Sequence, residues 1–374
     1  MAHVEDRWTR PGPSGRRVHT DRYGRGLRWQ AIWQDRDGQR HRRGFPTKDA
    51  AAAHLARIQV DQHTGTYASP ALSRLTVAAL ADRWLTEQVH QRPSSLETIR
   101  RRLSRTILPT LGHHQVAQVS RATVQTAVAT WHQEGLAAST IHLTYVYLAG
   151  IMQLAVDEHR IPTSPCRRIN LPPVERLAVV PLTVAQVQAL TDALWTPYQP
   201  MAVLAAATGM RAGELRGLTW DRIEHRGAAG QVRIDRQLTG LSDGQPVWGP
   251  PKTQTSVRVV GIGPEVLGTL ERTRAPSLDG LVFTSATGRP LSRGHMSGAW
   301  RHAAPLAGLP AGLGWHALRH FHASLRIAGG ASPVAVAHRL GHKDASETLR
   351  TYAHLWVDDD DRMRDATDAL IRVP

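Results

Sequence analysis

Hydrophobic and polar positions change their period along the chain, and each change predicts a different kind of element. Residues 1–26 are rich in Gly, Pro and Arg and have no period, which predicts a flexible basic arm. From Arg28 onward, Trp29, Ile32 and Trp33 read as a short strand, Asp37 and Gly38 as a hairpin turn, and residues 40–45 as the partner strand. A third strand is expected near residues 18–23. Thr47 then caps a helix whose apolar positions are Ala50, Leu55 and Ile58. After a linker at residues 65–70 the period becomes helical as far as residue 160. Thr76 caps a helix carrying Leu80, Trp84 and Leu85, and Ser94 with Glu97 forms a capping box ahead of Leu96, Ile99 and Leu103. Ser120 opens a helix with Val124, Val128 and Trp131, and Ser139 opens another through Leu143, Tyr147, Ile151 and Leu154. The segment predicts a compact bundle of about four helices.

Five prolines fall within residues 162–181, so that stretch can be neither a helix nor a central strand and is expected to link two domains. Thr183 and Gln186 restart a capped helix, and residues 232–234, 247–248 and 257–262 read as short strands among further helices. The expected fold class is multidomain and mainly α. A small sheet-plus-helix module occupies residues 1–69, a helical domain 70–162, a linker 163–181 and a mixed α+β domain 182–374.

Composition narrows what such a chain can do. The 374 residues hold 46 Lys plus Arg against 31 Asp plus Glu, a net charge of +15, which suggests a polyanionic partner, nucleic acid first. The excess runs along the whole chain: +6 over residues 1–69, +5 over 70–174 and +4 over 175–374. Arginines interleaved with aromatics in the first module, Arg28, Arg40, Arg42 and Arg43, and the cluster Arg100, Arg101 and Arg105 are the expected DNA contacts. A single cysteine, Cys166, excludes an intramolecular disulfide and a zinc site built on several thiolates, and fits a reducing compartment, with the cytoplasm as the default. No apolar run comes near the roughly 20 residues of a membrane helix, so no membrane partner is expected.

The chemistry concentrates after residue 205. In AATGMRAGELRGLTW an apolar helix breaks at Thr208 and Gly209 and presents Arg211 where Glu214 and Leu215 restart a helix. An arginine beside free N–H groups at a helix start suits a phosphate, although a structural pair with Glu214 would look the same. In WHALRHF, His316 and Arg319 share a helix face and His320 lies on the neighbouring one. A further helix stops at Leu340, Gly341 and His342, and Tyr352 follows ten residues later.

Cleaving a phosphodiester needs cations for the charge on the non-bridging oxygens and a proton for the leaving alkoxide. Arg211 and Arg319 can supply rigid donors, each typically contributing roughly 3 to 4 kcal/mol. The lysine ammonium can lose a proton, which singles out Lys252 in the PPKTQ turn as the acid. Tyr352 would be the nucleophile, activated by His316 and the arginines, and the product a phosphotyrosine needing no metal or other cofactor.

Taken in order, ATGMRAGEL, the PKT turn, HALRH, LGH and the tyrosine of RTYAHL resemble the catalytic domain of tyrosine recombinases of the phage integrase family, over roughly residues 175–357. The resemblance implies that Arg211, Lys252, His316, Arg319 and His342 activate the phosphate, Tyr352 attacks it through a 3′-phosphotyrosine, and Glu214 supports the pocket. It also implies a helical core-binding domain that clamps crossover DNA and an N-terminal arm-binding domain. The implied activity is integration and excision of a phage or mobile element at attachment sites in double-stranded DNA. Expected partners are further copies of the chain in a synaptic tetramer, a directionality factor and a host DNA-bending protein.

Two rivals remain open at this stage. His316 with His320 and His338 with His342 are i, i+4 pairs that could ligate zinc in a hydrolase, although the first pair lacks the HExxH glutamate. A non-catalytic DNA-binding regulator would explain the basic charge alone.

Overall fold

The computed structural model describes residues 2–12, 16–35, 38–64, 67, 74–175, 178–242, 244–251, 254–277, 280–356, 364 and 367–368. The chain divides into two compact units, Met1–Glu175 and Arg176–Pro374.

The first unit begins with strands where sequence composition predicts a flexible arm: β1 (His3–Asp6), β2 (Thr9–Pro11) and β3 (Arg17–His19). Polar contacts order this segment, which is why hydrophobic periodicity does not reveal it. The buried Asp6 carboxylate accepts from Arg28 Nη2 at 3.0 Å, Arg17 Nη2 at 3.2 Å, Thr9 Oγ1 at 2.7 Å and the Trp8 amide at 3.0 Å. The Arg28 hydrogen bond foremost holds that carboxyl well below the usual carboxylate range. β4 (Trp29–Gln34) and β5 (Arg40–Phe45) follow as expected. The three-stranded antiparallel sheet runs β1-β4-β5, with His3 opposite Ile32 and Trp29 opposite Phe45. Its third strand is therefore β1. Residues 17–19 pair instead with β2 in a separate ribbon, a correction to the strand expected near residues 18–23. Asp37 of the expected turn lies outside the described residues.

The sheet packs on α1 (Lys48–Thr64), capped by Thr47 Oγ1, which accepts from the Ala50 amide at 3.2 Å. Ala31, Trp33, Ala51, Leu55 and Ile58 form the core. Tyr67, in the stretch expected to be linker, is buried here, its hydroxyl accepting from Trp33 Nε1 at 2.7 Å; residues 65–66 and 68–70 lie outside the described residues.

The bundle follows as α2 (Val77–Thr86), α3 (Pro93–Arg102), a π-helical stretch Leu103–Ile107, α4 (Leu108–Leu111), α5 (Arg121–Gln133) and α6 (Ala138–Asp157). Thr76 and Ser120 cap as expected, Ser120 in a reciprocal box with Thr123. The expected Ser94–Glu97 box does not form. Pro93 occupies the first helical position, where its missing N–H costs nothing, so α3 starts two residues earlier than a Ser94 cap would place it, after an extended Arg92. α6 likewise starts at Ala138, after Ala137, with no side-chain cap from Ser139. Leu80, Ile99, Ile107, Leu111, Val124, Val128, Trp131, Leu148 and Ile151 build the core. Arg100, Arg101 and Arg105 are exposed.

α6 is long and apolar enough by composition to cross a membrane. Here its Ile141, Leu148, Ile151, Met152 and Ala155 are buried in the bundle. A strap after α6 satisfies its backbone through the bundle's polar side chains: Tyr145 donates to the Cys166 carbonyl at 2.9 Å, Arg121 to Arg168 at 2.8 Å, and Gln125 exchanges hydrogen bonds with Asn170.

The second unit holds α7 (Val184–Ala193), α8 (Gln199–Thr208), α9 (Ala212–Arg216), β6 (Ile223–Arg226), β7 (Ala229–Ile234), β8 (Gln237–Ser242), β9 (Gln245–Gly249), β10 (Arg258–Ile262), α10 (Pro264–Arg272), α11 (Arg293–Leu306), α12 (His316–Ala328), α13 (Pro333–Leu340) and α14 (Ala345–Tyr352). A three-stranded sheet ordered β10-β7-β6 and a β8–β9 hairpin flank the helices. α8 is buried almost all round, with Met201, Ala202, Leu204 and Ala205 in a core shared with Val232, Ile234, Val260 and Leu318. Its C-terminal end is thereby fixed in the centre of the unit, beside α12 and α13.

Candidate active site

The site grows from the end of α8. Gly209 terminates that helix at φ +67, and its amide donates to the Ala205 carbonyl at 2.9 Å. A side chain there would be doubly opposed, because a Cβ would stand 2.7 Å from Leu340 Cδ2 in a conformation L-residues rarely adopt. The turn leaves Arg211 extended as the residue before α9. Its Nη1 donates to Glu214 Oε1 at 3.1 Å and Ser256 Oγ at 3.2 Å, and its Nη2 to the Gly341 carbonyl at 3.0 Å. The carboxylate of Glu214, which also accepts the Arg211 amide at 2.9 Å, offsets the poor match between a cation and a helix start.

Glu214 is buried and carries a second arginine. Arg258 donates to both of its oxygens, at 3.1 and 2.9 Å, and from Nε to the Arg339 carbonyl at 2.9 Å. Burial alone would raise the Glu214 carboxyl, but the Arg258 hydrogen bonds and the two positive charges outweigh it and hold it below its ordinary value. One carboxylate thus ties α9, β10 and the end of α13 together. Arg258 had a signal in the sequence: it shares the inward face of β10 with Val260 and Ile262, a position where a charge needs a reason. Lys252 lies outside the described residues.

Arg319, on the buried face of α12, donates to the Gly209 carbonyl at 2.7 Å and is only 2% exposed. Burial first, then Arg211 and Arg258, pulls its guanidinium down to about 9, so it stays charged at neutral pH. His342 follows the left-handed Gly341, and its Nδ1 lies 2.6 Å from Thr348 Oγ1. Tyr352 ends α14 with 1% exposure, packed on Ala323, Ile327, Val336 and Leu340. Its hydroxyl lies 2.6 Å from His320 Nδ1. Burial pushes the phenol up to about 12, with Arg319 pulling the other way. His316 is open to solvent on one side yet crowded by its neighbours. Burial foremost, with His320, Arg319, Arg211 and His342, brings its imidazole down to about 4. Its ring meets that of His320 edge-on at 4.7 Å.

Arg211, Glu214, His316, Arg319, His342 and Tyr352 therefore belong to one contiguous network. His320, Arg258 and Thr348 are members that the phosphodiester reading of the sequence leaves out, His320 having entered only as a candidate zinc ligand. A cavity of about 650 Å³ opens beside Arg211 and His316, with Arg216, Arg293, Arg301 and Trp315 in its walls. In the first unit the expected contact residues differ in availability. Arg28 is committed to Asp6 and stacks on Trp29 at 4.9 Å, Arg43 covers Phe45 at 5.6 Å, and Arg40 and Arg42 are exposed on β5.

Two buried histidines make acid stability predictable. His322 bonds the Ala206 carbonyl at 2.9 Å and accepts from Arg339 Nε at 3.0 Å; burial is the main cause bringing it down to about 3, as it brings His342 to about 4. A histidine depressed in the fold favours the native state while neutral. That contribution fades as pH falls below the unfolded value and is gone once the folded value is passed. Between pH 7 and pH 5 each should remove roughly 2 kcal/mol from the stability of the second unit. Urea unfolding at the two pH values checks this, and equal midpoints would contradict it.

The profile of the phage integrase family matches residues 181–358. A Mycobacterium tuberculosis protein named as a prophage phiRv2 integrase is 29% identical over 340 residues, covering 87% of this chain and 88% of that protein. An XerC-like tyrosine recombinase of Caldanaerobacter subterraneus is 27% identical over 252 residues, covering 60% and 64%. In structure, the Tn1549 transposon integrase in complex with a circular intermediate DNA is similar, with a TM-score of 0.68 at 20% identity over 78% of this chain and 99% of that one. The lambda integrase dimer bound to a core site gives 0.59 at 18% identity, covering 88% and 92%. At such identities the structural likeness concerns the fold.

Proposed function

Because this chain belongs to the phage integrase family of tyrosine recombinases, a site-specific recombinase acting on DNA, we propose that Tyr352 is the nucleophile that cuts one strand and holds its 3′-phosphate as a phosphotyrosine. The observation that carries this reading is the convergence of two arginines, Arg211 and Arg319, with Tyr352 and its histidines inside one compact unit.

In this reading Arg211 and Arg319 bind the non-bridging oxygens and stabilise the charge that grows in the five-coordinate transition state. His316 and His342, both neutral at pH 7, donate or accept hydrogen bonds to the same group. Lys252 protonates the leaving 5′-oxygen. Tyr352 and Arg319 are both shut off from bulk solvent, which keeps the electrostatics of the site strong. The energy of the broken bond is kept in the phosphotyrosine, and the opposite attack by a 5′-hydroxyl rejoins the strand. The further partners in this reading are copies of the chain in a synaptic tetramer on attachment-site DNA, a directionality factor and a host DNA-bending protein, in a bacterial cytoplasm. Arg40, Arg42, Arg100, Arg101 and Arg105 are exposed and suited to phosphate contact.

The test uses the full chain and a nicked duplex carrying the repeat that flanks the element in its host chromosome. Loss of the short strand past the nick should trap a covalent adduct, and peptide mapping should place the nucleotide on Tyr352. An adduct on another residue, or none at all, overturns the assignment.

A further inference from the structure

The phenol that this reading makes the nucleophile has a neighbour that the same reading has so far given no part in strand cleavage. Tyr352 Oη lies 2.6 Å from Nδ1 of His320, and the two rings meet at 63° with centroids 5.6 Å apart. We propose that His320 is the general base of strand cleavage, taking the Tyr352 proton onto Nδ1 as the phenolic oxygen bonds to phosphorus. The inference rests on Tyr352 being the nucleophile.

The geometry is what a base requires, since a proton acceptor must be within hydrogen-bond reach of the proton it removes. His316 has no such contact with the phenol. Among the described residues its ring meets that of His320, edge-on. The helix register explains the division of labour: Arg319 faces the core and the Gly209 carbonyl, while His320, one residue on, faces the end of α14. Among the described residues, the charged and titratable groups that meet or act on His320 are His316 and Arg319 from α12 and Tyr352 from α14, with Glu347 of α14 acting in turn on Tyr352. Burial, then Arg319, keeps the His320 imidazole below its ordinary value, which favours the neutral ring; the tautomer with its proton on Nε2 leaves Nδ1 to accept from the phenol. The need for a base is plain from the other partner. A phenol pushed up to about 12 ionises by itself in only about one molecule in 10⁵ at pH 7.

The step balances without any further reactant. The Tyr352 O–H bond breaks, its proton goes to Nδ1, the oxygen–phosphorus bond forms and the bond from phosphorus to the 5′-oxygen breaks. The leaving oxygen takes its proton from the separate acid, assigned above to Lys252. On rejoining, the imidazolium of His320 returns its proton to the phenolic oxygen as that oxygen leaves phosphorus.

The experiment is single-turnover cleavage of the nicked duplex by the full chain at saturating protein, from pH 6.5 to 9.5. Wild type is compared with His320→Ala and His320→Asn, with Tyr352→Phe run alongside. Loss of a general base should slow cleavage about 10²- to 10⁴-fold at pH 7. The deficit should then shrink about tenfold per pH unit, because the variant depends on phenolate formed by solvent while wild type does not. His320→Asn keeps a hydrogen-bonding side chain of similar size and carries the test if circular dichroism shows the alanine variant unfolded. A deficit of the same size at every pH would mean that His320 only positions the phenol, and a wild-type rate would mean that it does neither; both overturn the proposal. An adduct formed by Tyr352→Phe would instead remove the nucleophile itself, so the two failures are distinguishable.

Discussion

Tyr352→Phe is expected to form no covalent adduct with a nicked attachment-site duplex, a loss of at least about 10⁴ in cleavage rate, while binding that duplex as wild type does. Phenylalanine keeps the ring that packs on Ala323, Ile327, Val336 and Leu340 and deletes one atom, the nucleophilic oxygen. The structural cost is confined to the lost hydrogen bond with His320, about 1 to 3 kcal/mol if Nδ1 then has no partner. Gel shift, adduct trapping and thermal unfolding on one preparation separate the three quantities. The outcome also decides between the enzyme and the non-catalytic regulator. A regulator would bind equally well with either residue and would trap nothing even as wild type. If Tyr352→Phe traps as much adduct as wild type, the nucleophile lies elsewhere.

Much of this site could be read before any coordinates because its parts are local. Gly209 followed by Arg211 marks a helix break, Thr183 with Gln186 a helix start, and His316 with Arg319 one helix face, each within a span where backbone periodicity constrains the side chains. What stayed hidden depends on encounters between distant segments. Tyr352 is 32 residues from His320 and Glu214 is 44 from Arg258, and helical period says which face a residue takes without saying what meets it there. The N-terminal strands were hidden for a different reason: Asp6, Arg17 and Arg28 order them through charge, in a stretch without hydrophobic pattern. The Ser94 cap failed because a proline one residue earlier competes for the same helix start.

The network that presents Arg211 leads to the second large effect, in stability. Glu214→Gln preserves the shape of the side chain but takes the shared counter-charge from both Arg258, whose side chain is 1% exposed, and the more open Arg211. Breaking a buried pair by removing one partner costs about 3 to 5 kcal/mol, which for a unit of this size lowers the unfolding midpoint on the order of 10 °C. Replacing both partners, Glu214→Leu with Arg258→Met, should recover part of that loss, because Arg258 then no longer stands as an unpaired charge in the core. The pH dependence distinguishes lost pairing from lost packing. Glu214 is held below its ordinary value in the fold, so its contribution is complete above the unfolded carboxylate value of about 4.3 and disappears only as pH falls through the lower, folded value. The gap between wild type and Glu214→Gln should therefore be constant from pH 7 to pH 5 and close in stronger acid. A gap that persists unchanged down to pH 2 would show that the glutamate acts by filling space and that the arginines do not depend on its charge.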